Sequence, residues 1–239
     1  MLKYEINKKH FLTYLFYILL EMFIIVIGVY LGFEIEDWGE EQKEKSIEKQ
    51  YLNYLLIDLD RDILLMENSI IRRYEKKIKG LKLAKQYALG KLRPKNRKKF
   101  ISDIGYGAIF SSGIPSVYNG TYNELINSGS LRLIKNSTLR KEILSYYSYI
   151  EQTIKSQKKS FSGYLTTMNS LRPFDKKNPS YISQSDQKIL MKSIKNLAFV
   201  KIVNLEITFA NDVVNNANKI KENANRLKQE IKKQIHVLE

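Results

Sequence analysis

The fold of this chain is constrained most by an apolar run of 23 residues, at positions 11–33 (FLTYLFYILLEMFIIVIGVYLGF). A helix of that length spans roughly 35 Å at 1.5 Å per residue, enough to cross a bilayer core of about 30 Å. The run is too long for the apolar core of a signal peptide, and no small-x-small cleavage site follows it. The sequence therefore predicts a short N-terminal tail at 1–10 and an uncleaved transmembrane helix at 11–33.

Glu21 is the only charged residue in this run and lies near its middle. With about 100° of rotation per residue, Glu21, Ile25, Gly28 and Gly32 fall on one stripe of the helix. Gly28 and Gly32 form a small-xxx-small pattern, which lets two helix backbones approach closely. We interpret the stripe as an assembly face for self-association or for a partner transmembrane protein. Two other interpretations stay open: Glu21 lines an ion pathway, or it is a neutral carboxylic acid tolerated in lipid.

The orientation of the span follows from the lysines beside it. Lys3, Lys8 and Lys9 directly precede the run, whereas Lys43 is the first lysine after it, ten residues beyond its end. Positive residues next to a span favour the cytoplasmic side. We expect a single-pass protein of the inner (cytoplasmic) membrane, with the N-terminus inside and the rest of the chain in the periplasm. Trp38 is placed to act as an interfacial anchor.

The net charge of +15 is unevenly distributed. Residues 34–62 hold ten acids against four bases, whereas residues 72–99 hold thirteen bases and one acid. Such a basic zone suits an anionic lipid or an acidic protein partner, and a periplasmic location argues against nucleic acid. The alternative is a solvated helix face that keeps the chain soluble. The candidate anionic-partner face consists of Arg72, Arg73, Lys76, Lys77, Lys79, Lys82 and Lys85.

Two long helices are predicted outside the span. Apolar residues recur every three or four positions from Leu52 to Leu81, which predicts a nearly straight helix over about 42–90, ended by Gly90 and Pro94. Because no proline occurs before Pro94, the alternative is a membrane helix that continues into this one, and Gly39 is the place where a bend is expected. A coiled-coil-like seam from Val213 to Ile235 predicts a second helix over about 196–238. Their similar lengths favour antiparallel packing.

Shorter elements are predicted between the long helices. Thr121 and Glu124 have the spacing of a capping box, which predicts a short helix over about 121–128 that stops at Gly129. Asn136 or Ser137 is suited to cap a further helix over about 137–171. Residues 102–120 and 172–186 are expected to be irregular.

The sequence offers little support for enzymatic chemistry. It has no cysteine, its two histidines stand at opposite ends, and it lacks the phosphate-loop, nucleophile-elbow and zinc-protease motifs. Asp58, Asp60 and Asp62 have the spacing that opens a calcium-binding EF-hand loop, but Ile63 stands where that loop needs glycine. We interpret these aspartates as a solvated acidic face. No enzyme activity, cofactor or metal site is predicted.

Two strings of residues stand out along the chain. One string comprises Glu21, the pair Ile27-Gly28, and Trp38 followed by two glutamates; the other is residues 121–140 (TYNELINSGSLRLIKNSTLR) with a tyrosine pair after it. Together they resemble a family of single-span helical membrane proteins common in Bacteroidota. The resemblance implies a membrane anchor and a helical domain of unknown function, and it implies no activity. This chain departs from the family in having Leu20 where glycine often precedes the glutamate, and in its acidic exit from the span.

Together these features predict an all-α protein. One N-terminal transmembrane helix is followed by an elongated extramembrane helical bundle over 34–239, with two long antiparallel helices. The expected function is a non-enzymatic, oligomeric scaffold or interaction module of the cell envelope. The alternative is an ion-conducting or proton-coupled oligomer that uses Glu21.

Overall fold

The computed structural model describes residues 8–108, 113–157, 162–171 and 182–238, with side chains from residue 14 onward. The predicted all-α class is confirmed, because these residues form helices and no strand. In chain order the α-helices are α1 (Lys8–Leu64), α2 (Arg72–Ala88), α3 (Arg97–Tyr106), α4 (Gly120–Asn127), α5 (Ser137–Ser156), α6 (Gly163–Ser170), α7 (Gln184–Ser193) and α8 (Leu197–Val237). A π-helical segment (Leu65–Ile71) joins α1 to α2, and a 3₁₀ turn (Ser130–Leu133) follows α4.

The chain divides into two compact units, Met1–Gln50 and Tyr51–Glu239. The first unit contains the apolar part of α1, where the most apolar 18-residue window has a mean hydropathy of 2.3 and no buried residue. Among the described residues, this is the one helix long and apolar enough to cross a membrane. The helix continues through Gly39 without interruption, so no separate helix begins near residue 42.

The second unit is built around two apolar stripes. On the first, Ile63 is half-buried and the eight other predicted positions are buried, namely Leu52, Leu55, Leu59, Met66, Ile70, Tyr74, Ile78 and Leu81. On the second, the predicted positions from Val213 to Ile231 are buried and Ile235 is half-buried. The π-helical segment, α2, α5 and α6 pack against α8, while α3 packs against α2 and α7. The 3.6-residue spacing of apolar side chains thus places both stripes in one core.

The π-helical segment lies where the first stripe drifts from α-helical spacing. Met66, Ile70, Tyr74 and Ile78 follow one another in steps of four residues. Because an α-helix has 3.6 residues per turn, three such steps would rotate the stripe away from the core by about 120°. A π turn holds more residues than an α turn and removes part of that drift. Met66, Ile70 and Tyr74 consequently all face the core.

Side-chain caps fix the starts of several helices. Asn136 accepts hydrogen bonds from the backbone N–H groups of Thr138 and Leu139 at the start of α5, and Asn196 accepts one from Phe199 at the start of α8. These bonds satisfy donors that the first turn of a helix leaves without partners. Gly90 and Gly129 have φ values of 74° and 70°, the left-handed conformation expected after a helix end.

The predicted capping box at Thr121 does not form. Helix α4 begins one residue earlier, at Gly120, and no side chain caps it from Asn119. The backbone N–H of Thr121 instead donates to the Asp58 carboxylate, and the Glu124 carboxylate accepts from the Tyr51 hydroxyl. The groups of a local cap are therefore used for contacts with the helix that carries the first stripe.

The connecting segments differ from the sequence predictions in three places. Helix α3 occupies the start of the stretch 102–120 that was expected to be irregular, and α7 begins inside the stretch 172–186. The helix predicted over 137–171 is divided, because α5 ends at Ser156 and Ser162 caps a new helix, α6. The predictions for residues 1–7, 109–112, 158–161 and 172–181 lie outside the described residues.

Candidate assembly face and buried polar clusters

The predicted assembly face is fully open on a single chain. Glu21, Ile25, Gly28 and Gly32 are all exposed on α1. A Cβ atom built on either glycine would meet no atom within 4 Å. Ile25 leaves 59% of its surface exposed and Val26, on another side of the helix, leaves 64%, so the described residues leave the apolar part of α1 open on all sides. The structure thus presents the carboxyl group and the two glycines on one unoccupied surface.

One of the seven residues predicted for the anionic-partner face does not lie on the surface. Lys77 is buried, with 0% of its side chain exposed, so its assignment to that surface is wrong. The cause is its position three residues after Tyr74 and four before Leu81, which places it on the buried stripe of α2. Lys85 is half-buried, and the exposed members are Arg72, Arg73, Lys76, Lys79 and Lys82.

Lys77 belongs to a buried ionic cluster in the second unit. Its ammonium group lies 2.7 Å from the Glu206 carboxylate of α8, whose side chain is only 1% exposed. Ser162, the cap of α6, donates its hydroxyl to the same carboxylate over 2.8 Å. A charge in a protein interior is very costly unless a partner compensates it, and here each charge has a counter-charge. The cluster ties α2, α6 and α8 together and is closed to solvent.

Two tyrosines line this ionic cluster. The Tyr74 ring lies 5.8 Å from the Lys77 ammonium, and its hydroxyl accepts a hydrogen bond from the Gly113 N–H. Burial, with a smaller contribution from the Glu206 charge, raises the pKa of Tyr74 to about 12. The Tyr164 hydroxyl donates to the Ile104 carbonyl over 2.8 Å, and burial raises its pKa as well. Both phenols are therefore neutral hydrogen-bonding groups that position loops and helices.

A second buried cluster surrounds Asp62. Its carboxylate accepts hydrogen bonds from the Tyr118 backbone N–H at 2.8 Å and from the Tyr146 hydroxyl at 2.9 Å. Desolvation by burial raises the pKa of Asp62 to about 6, and the nearby Asp58 charge adds to the increase. The hydrogen bonds oppose this rise because they favour the ionised form.

The interpretation of the three aspartates as a solvated acidic face is wrong for two of them. Asp62 is 0% exposed and Asp58 is 7% exposed, because both face the segment that carries Tyr118 and Thr121. Asp60 is exposed on the opposite side of the helix and forms an ion pair with Lys228. Asp58 and Asp62 are spaced i, i+4 and therefore share one helix face. Each also lies three residues after a leucine of the apolar stripe, Leu55 or Leu59, and this spacing was the sequence signal for their burial.

A stacked pair of tyrosines lies beside Asp62 and was not predicted from the sequence. The rings of Tyr122 and Tyr147 lie 4.1 Å apart with an interplanar angle of 16°. Tyr147 also meets the Tyr146 ring edge-on at 5.0 Å. Burial raises the pKa of both Tyr146 and Tyr147. These contacts fix α4 against α5, and nothing in the spacing of the tyrosines along the chain identifies the pairs.

Across the described residues, no group of three His, Cys, Asp or Glu side chains is placed to hold a metal ion. No family model, curated protein or solved structure matches the chain.

Proposed function

We propose that this protein is a membrane-anchored, oligomeric, non-enzymatic scaffold or interaction module of the cell envelope. The observation that supports the proposal is the open face of α1, where Glu21 lies on the same side as Gly28 and Gly32 and none of the described residues covers them. The contacts made in the membrane are then those of an assembly, either with further copies or with a partner transmembrane protein.

An acidic side chain at the centre of a bilayer costs a few kcal/mol or more, and such residues usually face a protein partner or a wet cavity. The two glycines leave room for a second helix to approach within van der Waals distance of the backbone. A neighbouring helix at this face shields Glu21 from the lipid and supplies the packing that lipid chains cannot.

We propose that the second unit is a helical bundle with its two long helices antiparallel. Two side-chain contacts between the long helices support this order: Asp60 with Lys228, and Lys77 with Glu206. The first partner of each pair advances along the chain while the second recedes. This is the order that two antiparallel elements produce.

For the location we propose the inner (cytoplasmic) membrane, with the N-terminus inside and the bundle in the periplasm. The lysines at positions 3, 8 and 9 support this orientation, because positive residues adjacent to a span are retained on the cytoplasmic side.

Native mass spectrometry of the full chain in detergent tests the assembly. We expect a discrete oligomer for the wild type and its loss in Gly32→Ile, which fills the space between helices. Val26→Phe is the matched control, because it adds bulk about 160° around the helix from Gly28. A monomeric wild type contradicts self-association and favours a different partner chain. Equal loss in both variants contradicts the assignment of the face.

A second function, ion conduction or proton coupling by the oligomer, is supported by the position of Glu21 as the sole charge of the apolar run. Glu21→Gln keeps hydrogen bonding and removes titration. A scaffold retains its oligomer in this variant and shows no proton flux in either form. A conducting oligomer shows proton flux into liposomes in the wild type and loses it in Glu21→Gln.

A further inference from the structure

The second unit brings together two acid-free, lysine-rich segments that are distant in sequence. Residues 76–102 contain no acid, and neither do residues 187–205. The Tyr87 hydroxyl at the end of α2 donates to the Met191 carbonyl of α7 over 3.2 Å, and α3 packs against α7. The Tyr87 and Phe100 rings, 5.1 Å apart, hold the start of α3 beside the end of α2. One end of the unit therefore carries both segments.

We define the basic end as the exposed cations within residues 82–98 and 188–195. Nine Lys and Arg side chains in these ranges are exposed, and the ranges contain no acid. The nearest acids along the chain are already engaged, since Asp103 pairs with Lys99 and Asp186 accepts a hydrogen bond from Ser183. The positive field at this end is therefore not compensated within these segments.

Large aliphatic side chains are exposed between these cations. Leu89 leaves 44% of its surface exposed, Ile189 55% and Leu197 67%, and each lies within three residues of an exposed lysine. A surface with both properties matches the interface of a bilayer, where apolar side chains enter the headgroup region and cations meet anionic lipid.

The rings at the basic end are engaged inside the protein. Single-stranded nucleic acid is typically held by exposed aromatic side chains on which bases stack. Phe100 is buried against Tyr87, whose hydroxyl is occupied by Met191. The aliphatic character of the exposed surface favours lipid over nucleic acid as the occupant.

We propose that the basic end is a docking surface for an anionic lipid bilayer, separate from the apolar span of α1. The inference goes beyond the assembly proposed above and does not depend on it. A chain with both features contacts lipid at two places, once by insertion and once by adsorption through the basic end.

The test uses the full chain held by its span in nanodiscs of phosphatidylcholine, so that the span is already occupied. These nanodiscs are floated with vesicles of phosphatidylcholine containing phosphatidylglycerol, and with vesicles of phosphatidylcholine alone. We expect recovery with the anionic vesicles only, and a decline as salt is raised, because exposed charges are screened.

Three variants define the surface. The basic-end variant combines Arg93→Gln, Lys98→Gln, Lys192→Gln and Lys195→Gln. Each cation near an anionic membrane contributes to adsorption, so we expect affinity for anionic vesicles to fall by roughly tenfold or more. The matched control removes four exposed cations elsewhere in the unit: Lys141→Gln, Lys219→Gln, Arg226→Gln and Lys232→Gln. We expect less than a threefold change, roughly, for this control.

The third variant combines Ile189→Ser with Leu197→Ser and keeps every charge. It should weaken vesicle binding, and it keeps the proposal testable if the basic-end variant fails to fold. Equal binding to neutral vesicles, equal loss in the matched control, or unchanged binding in both surface variants would overturn the proposal. If the protein captures a short DNA duplex and no anionic vesicles, the ligand of the basic end is nucleic acid and the lipid proposal is wrong. Running Gly32→Ile in the same assay separates a failure of assembly from a failure of lipid docking.

Discussion

At the scale of single residues, Lys77 and Glu206 are charged side chains at positions where the helical spacing of apolar residues predicts burial. Lys77 was grouped with the surface lysines by its charge, while its spacing from Tyr74 and Leu81 placed it in the core. Glu206 lies likewise between Val203 and Ala210 on the buried stripe of α8. The burial of each residue was readable from periodicity. Their pairing was not, because it depends on the register between two helices far apart in sequence.

Breaking this ion pair should be strongly destabilising. Lys77→Met leaves the Glu206 carboxylate buried without its counter-charge, so we expect the free energy of unfolding to fall by about 3–5 kcal/mol. Urea unfolding of the full chain in mild detergent, followed by circular dichroism, measures this. The double variant Lys77→Met with Glu206→Leu should recover most of the loss. The exposed Lys79→Met is the control and should change stability by less than about 0.5 kcal/mol.

Asp62 should make stability depend on pH in the direction opposite to ordinary salt-bridged acids. Its pKa is about 6 in the folded chain against an ordinary value of 3.8, so the folded state binds the proton more tightly than the unfolded state. Acidification through this window therefore stabilises the fold, by up to about 3 kcal/mol below pH 4. The surrounding groups are Asp58, Tyr146 and Tyr147.

Comparison with Asp62→Asn isolates this contribution from other titrating groups. The melting temperature of the wild type should rise relative to that of the variant as the pH is lowered from 7 to 4.5. A constant difference across that range would show that Asp62 does not titrate there.

At the scale of elements, α2 and α3 approach so closely at Gly80 that a side chain does not fit. A Cβ on Gly80 would overlap the Asp103 carbonyl oxygen, which belongs to the backbone and cannot rotate aside. Gly80→Ala gains about 1 kcal/mol of helix propensity but forces α3 away, and we expect a net loss of about 1–3 kcal/mol in the urea titration. Gly120→Ala, where a Cβ meets open space, is the control and should be near neutral.

At this scale, helix caps differ in how well they can be predicted from the sequence. Asn136, one of the two residues predicted to cap α5, does so, and Asn196 caps α8 at the helix start predicted near residue 196, because a cap needs only groups within three residues of itself. The spacing of Thr121 and Glu124 fulfilled the same kind of rule, yet Asp58 and Tyr51 supply their partners. A local motif is displaced when a tertiary contact offers the same donor a buried carboxylate. The sequence around the motif carries no sign of that contact.

At the scale of the whole molecule, the sequence was sufficient for the helical class and for the apolar helix near the N-terminus. It placed the two buried stripes correctly, since periodicity reports which face is buried. It did not place α3, α6 and α7, which are short and depend on caps and contacts such as Ser162 with Glu206. The open face of α1 is consistent with the predicted assembly, and its occupant stays a prediction.

The antiparallel order of the long helices can be tested by cross-linking, because the chain has no cysteine of its own. Asp60→Cys with Lys228→Cys places two thiols where the native side chains form an ion pair. A short bis-maleimide should join them within one chain, seen as a mobility shift that dilution does not abolish. Asp60→Cys with Lys188→Cys should not react in this way. Efficient linkage of the second pair instead of the first would contradict the antiparallel arrangement.

The π-helical segment at Leu65–Ile71 determines where the continuous helix formed by α1 and α2 tolerates a change in length. A π turn accommodates one residue more than an α turn, so removing the exposed Asn68 should convert the segment to ordinary helix. The apolar positions on either side would keep facing the core. Removing one residue from within α2 would instead rotate every later side chain by about 100° and expose half of the stripe. The segment is therefore the place where this long helix can lose a residue and retain its register.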